Sequence, residues 1–290
     1  MLINLWSGIM KGHGKKIESH GAVLLVSIGT TQAEGRAVID TCIKKIQKEY
    51  PKAEVAYSFT SEPVRLVLRE QNEYILGPLA AITSLLDKGH SQVVVQPLFI
   101  TSGARYHELY PIITALNELA GAHGAVGFDG ILISSSLLMN PEDYVDTAQA
   151  IESIYSIKAK DEAVVLVSPT AEGGAEPALC QLQMILDDIC PGGQIIIGTV
   201  NGYPDFEKVK KRLSHIGAKK VKLVPLTIVP GIHAWIELSG NANTQSWQKQ
   251  LESIGCSVTV ETKGLGEYDQ VIELFMNRLK RTAESHNFLK

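Results

Sequence analysis

Short apolar runs alternate with amphipathic stretches along the chain after residue 20. Residues 21–31 read GAVLLVSIGTT, an almost continuous apolar run that ends in a turn. Such a run is typical of a strand that is buried on both faces of a parallel sheet. Similar runs occur at 53–59, 92–100, 131–138, 163–170, 192–200 and 221–229. The pattern predicts a buried strand at each of these places.

The stretches between the runs have the spacing of amphipathic helices. In residues 32–49, Val38, Cys42 and Ile46 recur at helical intervals. The sequence Thr-Ser-Glu-Pro at 60–63 predicts a helix start, because a hydroxyl residue caps a helix and proline suits its first turn. Further helices are predicted at 77–89, after Asn140-Pro141 and at 204–216. Strands separated by helices of this length form parallel sheets with right-handed crossovers, so the fold class is α/β.

One strand and its turn occur twice in the sequence. Residues 93–109 read VVVQPLFITSGARYHEL, and residues 221–238 read VKLVPLTIVPGIHAWIEL. The two stretches align at one constant offset, 225 − 97 = 128, which sets Arg105 opposite His233. The backbone pattern is therefore repeated, while the side chains that follow the strand differ.

A second repeat supports a division into halves, since AVVLVSPT at 163–170 resembles AVLLVSIGT at 22–30. We predict two similar three-layer α/β halves with parallel sheets, at 21–140 and 141–290, preceded by a flexible arm at 1–20. Ligands of such folds bind where the carboxyl ends of the strands meet. The cleft between the halves is therefore the predicted site.

Composition and charge exclude several classes of function. The net charge is −4 and the basic clusters are short, which argues against nucleic acid as a partner. The four cysteines have no C-x-x-C spacing, so a reducing, cytoplasmic location fits better than a disulfide framework or a zinc knuckle. No later run reaches the roughly 18 apolar residues of a membrane span. Nucleotide-binding and hydrolase motifs are absent, and homo-oligomerisation is left open.

An ordered set of short motifs resembles the anaerobic sirohydrochlorin cobaltochelatases of the CbiK type. The motifs are L-V-S-x-G-T at 25–30, F-T-S at 59–61, P-L-x-I-x-x-G-x-x-Y at 97–106, G-Y-P at 202–204, P-L-x-x-V-x-G-x-H-A at 225–234, S-W at 246–247 and G-L-G-E at 264–267. The resemblance covers nearly everything after residue 20. It implies the class II tetrapyrrole chelatase fold and the insertion of Co²⁺, or of Fe²⁺ or Ni²⁺, into a tetrapyrrole.

The resemblance also implies site residues, and most of them are replaced here. The family has a histidine in a G-H-G turn, a glutamate two residues before the tyrosine of Y-P, an acid before the tyrosine of G-x-x-Y and a histidine in G-x-H-A. This sequence has Pro169, Asn201, Arg105 and His233 at these positions. His233 alone matches, and it is the predicted catalytic residue and metal ligand.

Metal insertion needs a base for the pyrrole N–H protons and a few ligands for the ion. Pro169 offers no ligand and Asn201 only a neutral carbonyl. Arg105 repels a cation by on the order of a kcal/mol, but it suits a carboxylate on the rim of a tetrapyrrole. A rebuilt metal site from His233, His107 and Glu237 is one interpretation. The alternative is that His107 is a surface residue, Glu237 a solvated helix acid and His233 a hydrogen-bonded core histidine.

Other residues near the predicted strand ends suit a tetrapyrrole. Thr30, Thr31 and Thr170 can present hydroxyl and backbone N–H groups to carboxylates, although helix capping explains them as well. Asn201 is a further candidate contact. Trp235 can stack on a flat ring, although packing is the alternative.

Three functions follow from these features. The first is a divergent chelatase that inserts cobalt or another divalent ion into sirohydrochlorin. The second is a protein that binds haem or another metallated tetrapyrrole through His233 without inserting metal. The third is a two-lobed protein for an unrelated small ligand.

Overall fold

The structure, a computed structural model, describes residues 21–121, 128–157, 159–170, 174–229, 231–239 and 245–290, without the side chains at 120, 121, 170 and 232–235. The strands are β1 (Ala22–Ser27), β2 (Glu54–Phe59), β3 (Gln92–Pro97), β4 (Gly130–Ile133), β5 (Glu162–Thr170), β6 (Ile195–Asn201), β7 (Lys220–Pro225) and β8 (Ser257–Val260). The helices are α1 (Ala33–Glu49), α2 (Glu62–Glu70), α3 (Pro78–Asp87), α4 (Ala104–His107), α5 (Leu109–Gly121), α6 (Pro141–Ile154), α7 (Glu176–Ile189), α8 (Phe206–Ile216), α9 (Ile232–Ser239), α10 (Trp247–Ser253) and α11 (Asp269–Ser285).

The strands form two parallel sheets of four strands each. The first sheet has the order β2-β1-β3-β4 and the second has the equivalent order β6-β5-β7-β8. Helices cover the sheets, so the central strands β1, β3 and β5 are buried on both faces, as their continuous apolar sequences require. The central strand β7 is buried at its carboxyl end but exposes Lys220 and Lys222. The predicted α/β fold class with two similar halves is confirmed.

The sequence repeat is also a structural repeat. In the first sheet Val26 lies opposite Pro97, and in the second Val167 lies opposite Pro225. The helices that follow, α4 and α9, begin at equivalent positions, 232 − 104 = 128. Arg105 and His233 are therefore each the second residue of a helix that begins shortly after a central strand.

The two halves share one apolar core. Side chains on one face of β1, among them Val23 and Leu25, belong to the same buried cluster as Val164 and Leu166 of β5. Helix α11, close to the end of the chain, packs against α1 and α6 and against β3 and β4 of the first sheet. The division at residue 140 stays a prediction. Helix α11 belongs to the predicted second half but packs against the first sheet.

A buried ion pair joins α11 to α6, and hydrogen bonds of the same arginine reach the first half. Arg278 of α11 is 2% exposed and lies 3.4 Å from the carboxylate of Asp143 on α6, itself buried. Its guanidinium also donates to the carbonyl oxygens of Ser136 (3.2 Å) and Leu137 (3.1 Å). Burial lowers the pKa of Arg278, and the charge of Asp143 opposes that change. The pair is therefore desolvated but well supplied with partners.

Within the described ranges, none of the helices combines the length and the apolar content that crossing a bilayer requires.

Candidate functional site

A cavity of about 550 Å³ opens at the carboxyl ends of the central strands of both sheets. Its walls come from the turns after β1, β3 and β7, from the end of β5 and from α2. In each sheet, the second strand in the chain lies on one side of the first strand, and the third strand lies on its other side. The turns lie at this switch point, which is the place where α/β sheets bind ligands. The volume lies within the range of small-molecule sites.

The described wall of the cavity is mainly apolar. The apolar residues are Ile28, Pro63, Val64, Val67, Leu98, Phe99, Ile100, Pro169, Leu179, Leu226, Ile228 and Val229. Ile28 and Val67 are also among the large apolar side chains that are exposed to solvent, so the apolar surface continues out of the mouth. A flat apolar ligand larger than the cavity can extend over this surface.

Hydroxyl groups interrupt the apolar wall. Ser27 ends β1 and is buried, and Thr227 follows β7. Among the described residues, neither hydroxyl oxygen has a hydrogen-bond partner, although both atoms are shielded from solvent. Buried hydroxyls without a partner are costly, so these two are suited to accept or donate a hydrogen bond to a ligand.

The turn after β1 brings two predicted ring contacts to the cavity. Thr30 is buried and accepts a hydrogen bond from the N–H of Gln32 (3.0 Å), while Thr31 is exposed. Gly29 has φ +107°, and a side chain there would meet the ring of Phe59 at 2.7 Å. Glycine therefore permits the tight turn that presents both threonines.

Arg105 is the one charged residue of the described cavity wall. Its guanidinium donates to both carboxylate oxygens of Glu108, at 3.0 and 3.3 Å. Both side chains are about half exposed, at 45% and 50%. The predicted positive charge is present at the cavity, and an acid of the same turn is already bound to it.

Tyr106, next to Arg105, is buried at the cavity wall and donates a hydrogen bond to the carbonyl oxygen of Ser134 (3.1 Å). Burial raises the pKa of its phenol, and a hydrogen bond with Tyr110 adds to the effect. The group is therefore neutral and is fixed as part of the wall, which makes it unsuitable as a base for pyrrole protons.

The second half contributes Pro169, which lines the cavity near the end of β5. Thr170 ends this strand, and its side chain lies outside the described part. Asn201, the last residue of β6, pairs in register with Thr170, is exposed and is not part of the described wall.

The backbone of α9 carries His233, Trp235 and Glu237. Gly231, two residues before His233, lines the cavity. The side chains of His233 and Trp235 lie outside the described residues. Glu237 is half-buried and is not part of the described wall.

His107, the third residue of the predicted metal site, is exposed at the end of α4 and is not part of the described wall. Its ring packs near those of Tyr106 and Tyr110. Among side chains that the structure describes, no three or more His, Cys, Asp and Glu residues are grouped so as to hold a metal ion. Because this does not include the His233 side chain, the site from His233, His107 and Glu237 stays a prediction.

Sequence reasoning missed three features of the wall. Ser27 and Thr227 were not singled out as contacts, although both stand at the carboxyl ends of central strands, where the general rule for α/β sheets applies. The bond between Arg105 and Glu108 also had a signal, since residues three apart on a helical turn are neighbours.

The chain is similar to known tetrapyrrole chelatases. A family model described as "Cobalt chelatase (CbiK)" matches residues 21–284. The chain is 25% identical over 258 residues to the sirohydrochlorin cobaltochelatase CbiKC of Nitratidesulfovibrio vulgaris, with 89% of this chain and 88% of the relative covered. It is 26% identical over 261 residues to the sirohydrochlorin cobaltochelatase of Salmonella typhimurium, with 89% and 94% covered.

A solved structure, SirB from Bacillus subtilis with Fe³⁺, is similar in fold. The TM-score is 0.60 at 15% identity, and the match covers 93% of this chain and 100% of that chain. At this identity the likeness concerns the fold alone.

Proposed function

We propose a function from one premise: this chain belongs to the cobalt chelatase (CbiK) family. The proposed reaction is the insertion of a divalent metal ion, with cobalt as the first choice, into sirohydrochlorin. The observation that carries the proposal is the cavity between the two sheets, which is apolar, open at its mouth and lined by hydroxyl groups and one arginine. This combination suits a flat ring with carboxylates on its rim.

The reaction exchanges two pyrrole N–H protons for one metal ion, and in the proposal the protons pass to water and buffer bases at the open mouth of the cavity. We propose that His233 holds the incoming ion, because neutral imidazole is a good ligand for Co²⁺, Fe²⁺ and Ni²⁺. His107 and Glu237 stay proposed as its partners. Arg105 and the hydroxyl groups of Thr30 and Thr31 would hold carboxylates of the ring.

On the second-half side, Thr170 and Asn201 are proposed as further ring contacts, and Trp235 as the residue on which the ring stacks. These three contribute position and no proton transfer. In the proposed reaction the ring is held from both halves while the ion enters at the His233 side.

One observation favours a second candidate function. The described cavity wall has no carboxylate and no imidazole, and Pro169 stands where the family resemblance implies a histidine. A site with few ligands suits the binding of a ring that already contains its metal, with His233 as axial ligand. The second candidate is therefore a haem-binding or metallated-tetrapyrrole-binding protein that does not insert metal.

The test is an anaerobic visible-spectrum time course of the purified protein with sirohydrochlorin and Co²⁺, beside a protein-free control. Accelerated formation of the cobalt complex is the expected result. A parallel haem titration of the same sample covers the second candidate. No acceleration together with saturable haem binding would favour the second function. If neither response is observed, both functions are contradicted and only the shared fold is supported.

A further inference from the structure

We propose that Glu108 occupies, in the ring-free protein, the place on Arg105 that a rim carboxylate of the bound tetrapyrrole takes. Ring binding then exchanges one carboxylate for another and releases Glu108 at the mouth of the cavity. The inference rests on the proposed function. It assigns Glu108 a role in ring selection.

The local backbone fixes this arrangement. Helix α4 begins at Ala104, and the N–H of Glu108 donates to the carbonyl oxygen of Ala104 (3.0 Å), so Glu108 continues the same helical turn as Arg105. One guanidinium nitrogen, Nη1, donates to both carboxylate oxygens, at 3.0 and 3.3 Å. Arg105 belongs to the described cavity wall and Glu108 does not, so the bond joins a wall residue to an acid outside the wall.

The bond is suited to exchange. Both side chains are about half exposed, at 45% and 50%, and exposed pairs of this kind contribute little to stability. A ring carboxylate that enters the apolar cavity meets fewer competing water molecules, which strengthens its hydrogen bond to the same guanidinium. The ring therefore has an advantage over Glu108 only when it has a carboxylate to offer. A ring without carboxylates leaves the pair intact.

The exchange changes the charges at the mouth. Before ring binding, Arg105 and Glu108 neutralise each other. Afterwards the ring neutralises Arg105, and Glu108 stands as a free carboxylate beside a cavity whose described wall has no acid. The order of events is thus ring first, and then an acid exposed at the entrance.

The experiment measures the affinity of two metal-free probes by fluorescence. Uroporphyrin carries carboxylates on its rim, and its methyl ester, in the same detergent-containing buffer, carries none. Arg105→Gln is expected to weaken uroporphyrin binding about tenfold, as the loss of a hydrogen bond to a charged group predicts. Glu108→Gln is expected to strengthen it about two- to threefold, because the competitor is removed. Neither variant changes ester binding.

A matched control is available on α10, where Lys249 and Glu252 form another exposed pair three residues apart, at 3.3 Å. Glu252→Gln is expected to leave both affinities unchanged. In an Arg105→Gln background, Glu108→Gln should add nothing, because the two residues act through one bond. A gain that persists in that background would overturn the exchange.

The failure of the exchange and the failure of the proposed function are distinguishable. If the unmodified protein binds uroporphyrin and Glu108→Gln leaves that affinity unchanged or lowers it, the exchange is contradicted and the proposed function is not. An unmodified protein that binds neither probe would remove the proposed function and the exchange with it.

Discussion

The turns after β3 and β7 begin with equivalent backbone hydrogen bonds and lead to different side chains. The N–H of Leu98 donates to the carbonyl oxygen of Val26 at 2.7 Å, and the N–H of Leu226 donates to that of Val167 at 2.8 Å. Both turns line one cavity from opposite halves. The first turn then presents a guanidinium, whereas the second leads into the helix that contains His233.

The backbone sets where each of the two turns lies, and the side chains set the chemistry of each turn. The register of two parallel strands places the turn, and it tolerates any side chain that leaves the backbone bonds intact. The first half therefore offers a fixed charge that suits a carboxylate, and the second half offers the residue type that suits a metal ion. We therefore propose that Arg105, after the first turn, serves the ring and that His233, after the second turn, serves the metal ion.

Helix α11 belongs to the second half of the chain but packs against the first sheet, and the largest expected effect tests how it is held there. Asp143→Ala removes the carboxylate beside Arg278 and leaves a buried guanidinium without its counter-charge. Loss of one member of a buried pair costs about 3–5 kcal/mol. We expect the free energy of unfolding to fall by that amount in a urea titration.

Asp146→Ala on the same helix is the control, because Asp146 is exposed. It should change the unfolding free energy by less than about 0.5 kcal/mol. The shared core predicts that Asp143→Ala destabilises the whole chain in one transition. Two separate transitions would show that the halves unfold independently and that α11 does not couple them.

The next effect tests the proposed role of His233. His233→Ala is expected to slow cobalt insertion on the order of 100-fold, which corresponds to the loss of about 2.7 kcal/mol of stabilisation by the ligand, because each 1.36 kcal/mol is a factor of ten. Arg105→Ala should instead weaken ring binding and keep the rate at saturating ring. Initial rates from visible spectra give both values. An unchanged rate in His233→Ala would make His233 a structural residue.

The sequence predicted the fold well because its signals are local and repeated. Continuous apolar runs such as 21–31 predict buried parallel strands, and the constant offset predicts two copies. Strand β8 (Ser257–Val260) was missed, because it is only four residues long and partly exposed, so it lacks an apolar run. The contacts of α11 with the first sheet were also missed, because no local pattern indicates which sheet a helix will cover.

The candidate site was less predictable for a physical reason. Its position follows from the strand ends. Its charge depends on pairs such as Arg105 and Glu108. Their spacing in the sequence allows this ion pair but does not ensure that it forms. Motif resemblance gave the positions of Pro169 and Asn201, and the structure sets only Pro169 on the described cavity wall. The direction of a side chain at a strand end therefore could not be predicted from the sequence and is known from the structure.

A smaller effect would sharpen the comparison by restoring a ligand. Pro169 lines the cavity from the end of β5, where the family resemblance implies a histidine. Pro169→His adds an imidazole there and is expected to raise cobalt insertion about tenfold, which corresponds to about 1.36 kcal/mol of transition-state stabilisation. Pro169→Ala removes the proline without adding a ligand. Equal rates in the two variants would mean that the gain does not come from the imidazole.

The smallest expected effect concerns the opposite edge of the first sheet, at the amino ends of its strands. Glu54 at the start of β2 bonds Lys88 (2.5 Å) and His90 (2.7 Å), and its pKa is lowered, first by the hydrogen bond from Lys88. At the same edge of the second sheet, the described ion pairs of Lys220, with Asp161 and Glu162, are exposed.

A lowered pKa in the folded state means that Glu54 stabilises the protein fully above the ordinary glutamate pKa. The contribution is lost as pH falls through the lowered folded pKa. About a third of the Glu54 side chain is exposed, so solvent screening limits the effect to about 0.5 kcal/mol. Glu54→Gln should therefore lower the melting temperature by about 1 °C near neutral pH, and the difference should vanish in acid. A difference that stays constant down to the acid limb would mean that Glu54 acts through packing rather than through its charge.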